Sequence, residues 1–203
     1  MQNVEIITRS NMAACSDSLS RPSWDRFCQC VQSVCKVFDV SSLRERQLQA
    51  LYSFVSGEDV FVSLPTGYGK SLIFQMAPLI HVWMQENVTI GSWKKEPIIL
   101  IISPLLALMQ DQVRKLTSLG LKAAFVGAEQ EPAVLQDVAE GKFMFVFISP
   151  ESTLASERWR NVLESPLYQK NLVGVIVKYT VLQSGTRRRA TRIAWHFVSG
   201  ILD

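Results

Sequence analysis

The chain has 203 residues, 48% of them hydrophobic and 19% charged, with a formal net charge of +3. That supports one packed domain. The charge is too small to argue for a nucleic-acid partner by itself. No apolar run reaches the roughly 18 residues of a membrane helix, and residues 1–20 lack the basic-then-apolar order of a signal peptide, so an intracellular protein with no membrane partner is expected.

Residues 1–20 are rich in Ser and Asn and show no period, so residues 1–22 are expected to be a disordered tail. The four cysteines, Cys15, Cys28, Cys30 and Cys35, crowd the first 35 residues. They lack the C-x₂-C pairs that zinc prefers and lie far from His81 and His196, so reduced thiols are expected. Over residues 24–38 the positions Phe27, Val31, Val34, Cys35 and Phe38 recur at three and four, which predicts a helix. Ser41-Ser42 is expected to cap a second helix over residues 43–56, with Leu48, Leu51, Tyr52 and Val55 on one face and Gly57 as its stop.

Residues 59–64 form the first expected strand. Then comes Leu64-Pro65-Thr66-Gly67-Tyr68-Gly69-Lys70-Ser71, followed by an apolar helical segment over residues 72–83. Strand, glycine-bearing loop and helix in that order make a phosphate cradle. Loop N–H groups point inward, and the helix start adds partial positive charge. Lys70 would reach the β- and γ-phosphates, and the Ser71 hydroxyl would hold Mg²⁺. The full pattern G-x-x-x-x-G-K-[ST] asks for glycine where Leu64 stands.

Beyond a polar loop, residues 98–102 are an unbroken β-branched strand, suited to burial on both faces. Ser103-Pro104 opens a helix to about residue 119, stopped by Gly120. A strand over 122–126, a helix over 132–139 and a strand over 143–148 follow. Ser149-Pro150 ends that strand, a helix spans 154–163, and a fifth strand covers 172–177. This alternation predicts a doubly wound α/β sheet, with ligands at the carboxyl ends of its strands. Ile193, Trp195 and Phe197 alternate with Ala194, His196 and Val198, a weak strand signal.

Several stretches together resemble the RecQ-like DNA helicases of superfamily 2. Leu43-Arg44-Glu45-Arg46-Gln47 resembles the motif before that family's phosphate loop, and the P-T-G-x-G-K-S form is similar to the loop itself, which also lacks the first glycine. The stretch from Ile101 to Val113, ISPLLALMQDQV after its first residue, resembles the next motif. Phe147-Ile148-Ser149-Pro150-Glu151 resembles the one after. Order and spacing agree over residues 36–177. The resemblance implies a RecA-like parallel sheet flanked by helices, a P-loop NTPase lobe, here incomplete, over residues 23–177. It implies ATP and Mg²⁺ as cofactors, single-stranded or forked DNA as partner and a nuclear location. By the same route Gln47 and Arg44 would hold adenine. Thr66, Gly67, Tyr68, Gly69, Lys70 and Ser71 would hold phosphate, with Mg²⁺ at Ser71. Ser103, Gln110 and Gln112 would lie near the DNA track. The plainer readings are a solvated Gln47, surface glutamines at 110 and 112, and an ordinary strand-to-helix junction at Ser103-Pro104.

The resemblance stops at Val177. The family continues with Asp-Glu-Ala-His-Cys, whose aspartate holds Mg²⁺ through water and whose glutamate positions the attacking water. Here Lys178-Tyr179-Thr180-Val181-Leu182-Gln183-Ser184-Gly185 follows, and no carboxylate appears before Asp203, so a lysine near the expected Mg²⁺ position could compete with the metal. One codon choice for those eight residues, shifted by two bases, encodes Val-His-Cys-Val-Thr-Glu-Trp. Residues 178–203 are therefore read as a frameshifted, non-homologous tail. Its run Thr186-Arg187-Arg188-Arg189-Ala190-Thr191-Arg192 is either a nucleic-acid or nuclear-import patch or basic by accident. In this class of sheet, the strand after the Asp-Glu motif lies between the phosphate-loop strand and the Asp-Glu strand. Either residues 192–198 fill that slot or the sheet has a gap, with marginal stability.

Three functions compete on this sequence. The first is an ATP- and DNA-binding motor lobe, inactive without the acidic pair and the second lobe. The second is a non-catalytic short isoform that holds DNA or a full-length helicase partner. The third is a different P-loop protein, such as a small-molecule kinase, against which residues 103–113 speak.

Overall fold

The computed structural model describes residues 5–9, 21–65, 67–127, 132–154, 157–182 and 189–196. In chain order they form β1 (Glu5–Arg9), α1 (Trp24–Cys35) running into a 3₁₀ turn (Lys36–Phe38), α2 (Glu45–Val55), β2 (Asp59–Ser63), α3 (Lys70–Asn87), β3 (Ile98–Ile102), α4 (Leu106–Ser118) and β4 (Ala123–Val126). Then follow α5 (Pro132–Ala139), β5 (Phe145–Ile148), α6 (Pro150–Leu154), α7 (Glu157–Glu164), α8 (Pro166–Asn171), β6 (Leu172–Leu182) and β7 (Arg189–His196).

The strands form one seven-stranded sheet in the order β1-β2-β7-β6-β3-β5-β4. Strands β6, β3, β5 and β4 pair in parallel, with Leu100 opposite Val175 on one side and Val146 on the other. Their continuous apolar runs fit burial on both faces, and the alternation of side chains sorts them into two cores. Ile99, Ile101, Phe145, Phe147 and Ile176 face a cluster with Phe27, Phe54, Phe74 and Ile80 from α1, α2 and α3. Ile98, Leu100, Val146 and Ile148 face Val138, Trp159 and Tyr168 from α5, α7 and α8. The buried Tyr168 hydroxyl donates to the Val138 carbonyl at 2.7 Å, so its one polar atom is satisfied. Helices thus cover both faces of a parallel sheet, the RecA-like architecture expected. No described helix is long and apolar enough to cross a membrane.

The slot between β2 and β6 is filled by β7, which is antiparallel to both. Phe61 pairs with Ala194, and Val177 with the same Ala194 on the other side. Of the two outcomes open from the sequence, an occupied slot is the one observed, and there is no gap at mid-sheet. β6 runs on past Val177 to Leu182 to make this pairing. A strand reached through a short connection pairs antiparallel, because a parallel return needs a crossover of a dozen or more residues.

Three further differences have local causes. Glu5–Arg9, expected within a tail, pairs antiparallel with β2 as an edge strand; residues 10–20 lie outside the described part. The second helix starts at Glu45, not after Ser41-Ser42, because the Gln47 side chain accepts the Arg44 N–H at 2.8 Å. Of the helix expected over 154–163, the described part is α7 from Glu157 with Leu154 closing α6, and Pro166 opens a further helix, α8, capped by the Ser165 hydroxyl.

Candidate nucleotide site

The loop after β2 sits at the carboxyl edge of the sheet and turns directly into α3. Gly67 and Gly69 have φ of 83° and 79°, a left-handed conformation that side chains with a Cβ resist. Gly69 is the residue before the first turn of α3, so the helix starts at Lys70, two residues earlier than the apolar run suggests. The Tyr68 N–H donates to the Pro65 carbonyl at 3.2 Å, closing the loop. Lys70 is buried, and its Nζ donates to the Leu64 carbonyl at 2.7 Å and the Pro65 carbonyl at 2.8 Å. Burial pushes this ammonium below the ordinary lysine range. Ser71 follows in the first turn, half-buried. Thr66 lies outside the described residues.

Gln47 is not solvated. It is 5% exposed, with both ends of its amide in use. Its oxygen accepts the Arg44 N–H, while its nitrogen donates to the carbonyls of Tyr68 at 2.9 Å and Gly69 at 3.2 Å. The Arg44 guanidinium stacks 4.4 Å from the centre of the Tyr68 ring. The start of α2 and the phosphate loop, about twenty residues apart in sequence, are thus one unit. An added Cβ on Gly69 would lie 2.5 Å from the Gln47 nitrogen, so the fit is close.

The residues assigned to the DNA track divide. Ser103 is 1% exposed at the end of β3, and its hydroxyl has no hydrogen-bond partner among the described residues. Gln112 turns inward and accepts from the buried Gln75 of α3 at 2.7 Å. Gln110 is half-buried, while Leu105, Leu106 and Leu108 are exposed at the start of α4.

Lys178 is the lysine that the sequence sets near the expected Mg²⁺ position, as a competitor for the metal. Val177 pairs with Ile102, so Lys178, within β6, lies next to Ser103 just past the carboxyl end of β3. It is 5% exposed, with its Nζ 4.5 Å from the centre of the Phe74 ring and 5.8 Å from that of Phe147. Burial pushes its pKa down to about 8. The signal for this in the sequence was a lysine directly continuing the apolar run of a central strand. Among the described residues no group of three His, Cys, Asp or Glu side chains is placed to hold a metal.

Comparison with known proteins places this geometry in a family. The DEAD/DEAH box helicase model matches residues 44–177. ATP-dependent helicase SGS1 of Saccharomyces cerevisiae is 32% identical over 177 residues, covering 85% of this chain and 11% of that protein. RecQ-like DNA helicase BLM of Xenopus laevis is 32% identical over 148 residues, covering 70% of this chain and 10% of its own length. ATP-dependent DNA helicase RecQ of Haemophilus influenzae is 30% identical over 124 residues, 59% of this chain and 18% of that protein. The chain thus spans about a tenth of the length of the first two of these relatives. The matched segment opens at Arg44, encloses the loop with Lys70 and ends at Val177, and on that match the chain belongs to the DEAD/DEAH box helicase family, with RecQ-like DNA helicases among its relatives.

Proposed function

We propose that this chain is the ATP- and DNA-binding first motor lobe of a RecQ-like 3′–5′ DNA helicase, able to hold ATP but not to turn it over. The observation that carries the reading is the unit formed by Gln47, the Gly67 to Gly69 turn and the buried Lys70. Lys70 now occupies two carbonyls at the mouth of the loop, and an arriving phosphate would take over its ammonium. Gln47 and Arg44, beside the loop, would hold adenine, Gln47 by giving up one of its present contacts to Arg44, Tyr68 or Gly69. Thr66, Gly67, Tyr68, Gly69, Lys70 and Ser71 would surround the phosphates. DNA would run past the start of α4, near Gln110, gripped through phosphates and independent of sequence.

The family uses ATP, normally with Mg²⁺. In this chain the donor set does not fit a resident metal. Ser71 offers one hydroxyl, but after Val177, where the family's sequence carries its aspartate, this chain has Lys178. Hydrolysis needs charge placed at the attacking water and the leaving group, and residues 178–182 supply no carboxylate for it. We read residues 178–203 as the product of a shifted reading frame; transcript sequence across the Val177 and Lys178 codons that contains no Asp-Glu frame would refute this. A nuclear location follows only from the same resemblance.

The test is ATP binding and turnover by the purified chain with and without single-stranded DNA. Binding abolished by Lys70→Ala, with no DNA-stimulated turnover, is the expected result. DNA-stimulated hydrolysis that disappears in Lys70→Ala would overturn the inactive reading, and DNA binding with no nucleotide binding would favour a non-catalytic module.

A further inference from the structure

We propose that the phosphate site takes its di- or triphosphate as the metal-free anion, with the Lys178 ammonium standing in for the divalent cation. This rests on reading the Gly67 to Ser71 loop as the phosphate site.

Three observations converge on it. The first is position. Ser103 follows the end of β3, Lys178 lies beside it within β6, and the two continue the alternations Ile101 to Ser103 and Ile176 to Lys178, which face the α3 side of the sheet. Phe74, under the Lys178 ammonium, is four residues after Lys70 and so one turn further along the same face of α3. The ammonium therefore sits one helical turn inward from the loop, on a stem with four rotatable carbons. The second is unmet demand. The contacts of the Lys178 ammonium among the described residues are two aromatic rings, with no carboxylate, and Ser103 beside it keeps a buried hydroxyl without a partner. Buried polar groups ordinarily find partners, and a phosphate oxygen would satisfy both a cation and a hydroxyl donor. The third is the metal side. Mg²⁺ asks for near-octahedral oxygen ligation and usually takes one or two carboxylates along with phosphate oxygens. Among the described residues of the loop Ser71 offers one hydroxyl, and a positive charge one helical turn inward disfavours a second cation.

When the anion enters, Lys70 leaves the Leu64 and Pro65 carbonyls for the phosphates, and Lys178 swings from the Phe74 ring toward the outermost phosphate. Two ammonium groups then face the anion, one from the loop and one from β6. No bond is made or broken in this step, and the site retains the nucleotide instead of consuming it.

The experiment is calorimetric titration of the whole chain with ATP in EDTA and with ATP in excess Mg²⁺. The expected result is tighter binding in EDTA, by about fivefold or more. Lys178→Met should weaken metal-free binding about tenfold, as for loss of one charge-assisted contact, and leave binding of the magnesium complex unchanged or stronger. Lys178→Asp should reverse the preference. An unfolding midpoint of Lys178→Met no lower than that of the parent would show that the weakening is not a folding defect. Tighter binding with Mg²⁺ in the parent chain would sink this inference while leaving the nucleotide reading intact, as would metal-free binding unaltered in Lys178→Met. Absence of binding in both conditions would sink both.

Discussion

The loop after β2 and the stretch of β6 past Val177 each bury a lysine, and they keep it in different ways. Lys70 donates to two backbone carbonyls at the end of a strand, where such groups are in surplus. Lys178 lies against Phe74 and Phe147, with no oxygen to accept from it among the described residues. Both ammonium groups are pushed below the ordinary range by burial. The loop compensates locally, and β6 does not. A buried charge is tolerable where the fold already carries unpaired carbonyls, and a source of instability where it displaces an apolar side chain.

The largest effect expected from this contrast is at Lys178. Its folded-state pKa of about 8 lies below the ordinary 10.5. Between those values the unfolded chain binds more protons than the folded one. Stability should therefore be lowest below pH 8 and rise as pH climbs toward 10.5, by about 3 kcal/mol in all. Lys178→Met should remove that rise and stabilise the chain at pH 7 by roughly 1–3 kcal/mol. Urea unfolding at pH 7 and 9.5 checks both, and a flat pH profile for the parent chain would break the contrast. Next in size is Gly69→Ala. Its φ of 79° disfavours a Cβ, and that carbon would meet the Gln47 nitrogen at 2.5 Å. A loss of about 2 kcal/mol is expected, or several degrees in the unfolding midpoint; an unchanged midpoint would mean that the close fit between α2 and the loop is absent in solution. The smallest effect is Lys70→Met, with sign opposite to Lys178→Met. It removes two donors from the Leu64 and Pro65 carbonyls but also relieves the buried charge, for a net loss of about 1 kcal/mol. A gain in stability there would show that the carbonyls do not compensate.

How much of this was legible depended on whether the information was local. Residues 98–102 and 172–177 read as buried strands because Ile, Leu and Val in unbroken runs suit a doubly covered sheet, and both are strands. The loop was legible because glycine at positions 67 and 69 answers a backbone need within a few residues. The Gln47 contacts were not, since they join residues about twenty apart and a glutamine carries no pattern of its own. Ser41-Ser42 read as a cap by composition, yet the Gln47 oxygen won that role by reaching back to Arg44. The 189–196 strand was only faintly marked, and its antiparallel direction was not marked at all. Direction follows from the length of the connection and the vacancy it fills, neither of which is written in side-chain alternation. Lys178 read as a competitor for Mg²⁺, but its seat against Phe74 was not legible, because only the packing of α3 reveals it.

In the backbone ladder, among the described residues, β2 touches β1 and β7 and nothing else. The strand that launches the phosphate loop therefore reaches the parallel strands only through β7, while α2 and α3 hold it from above. During synthesis the loop emerges long before its brace. Pairing across so wide a separation is entropically late. A nascent chain carrying every residue of the loop should thus have no competent site until the final hairpin has closed behind it.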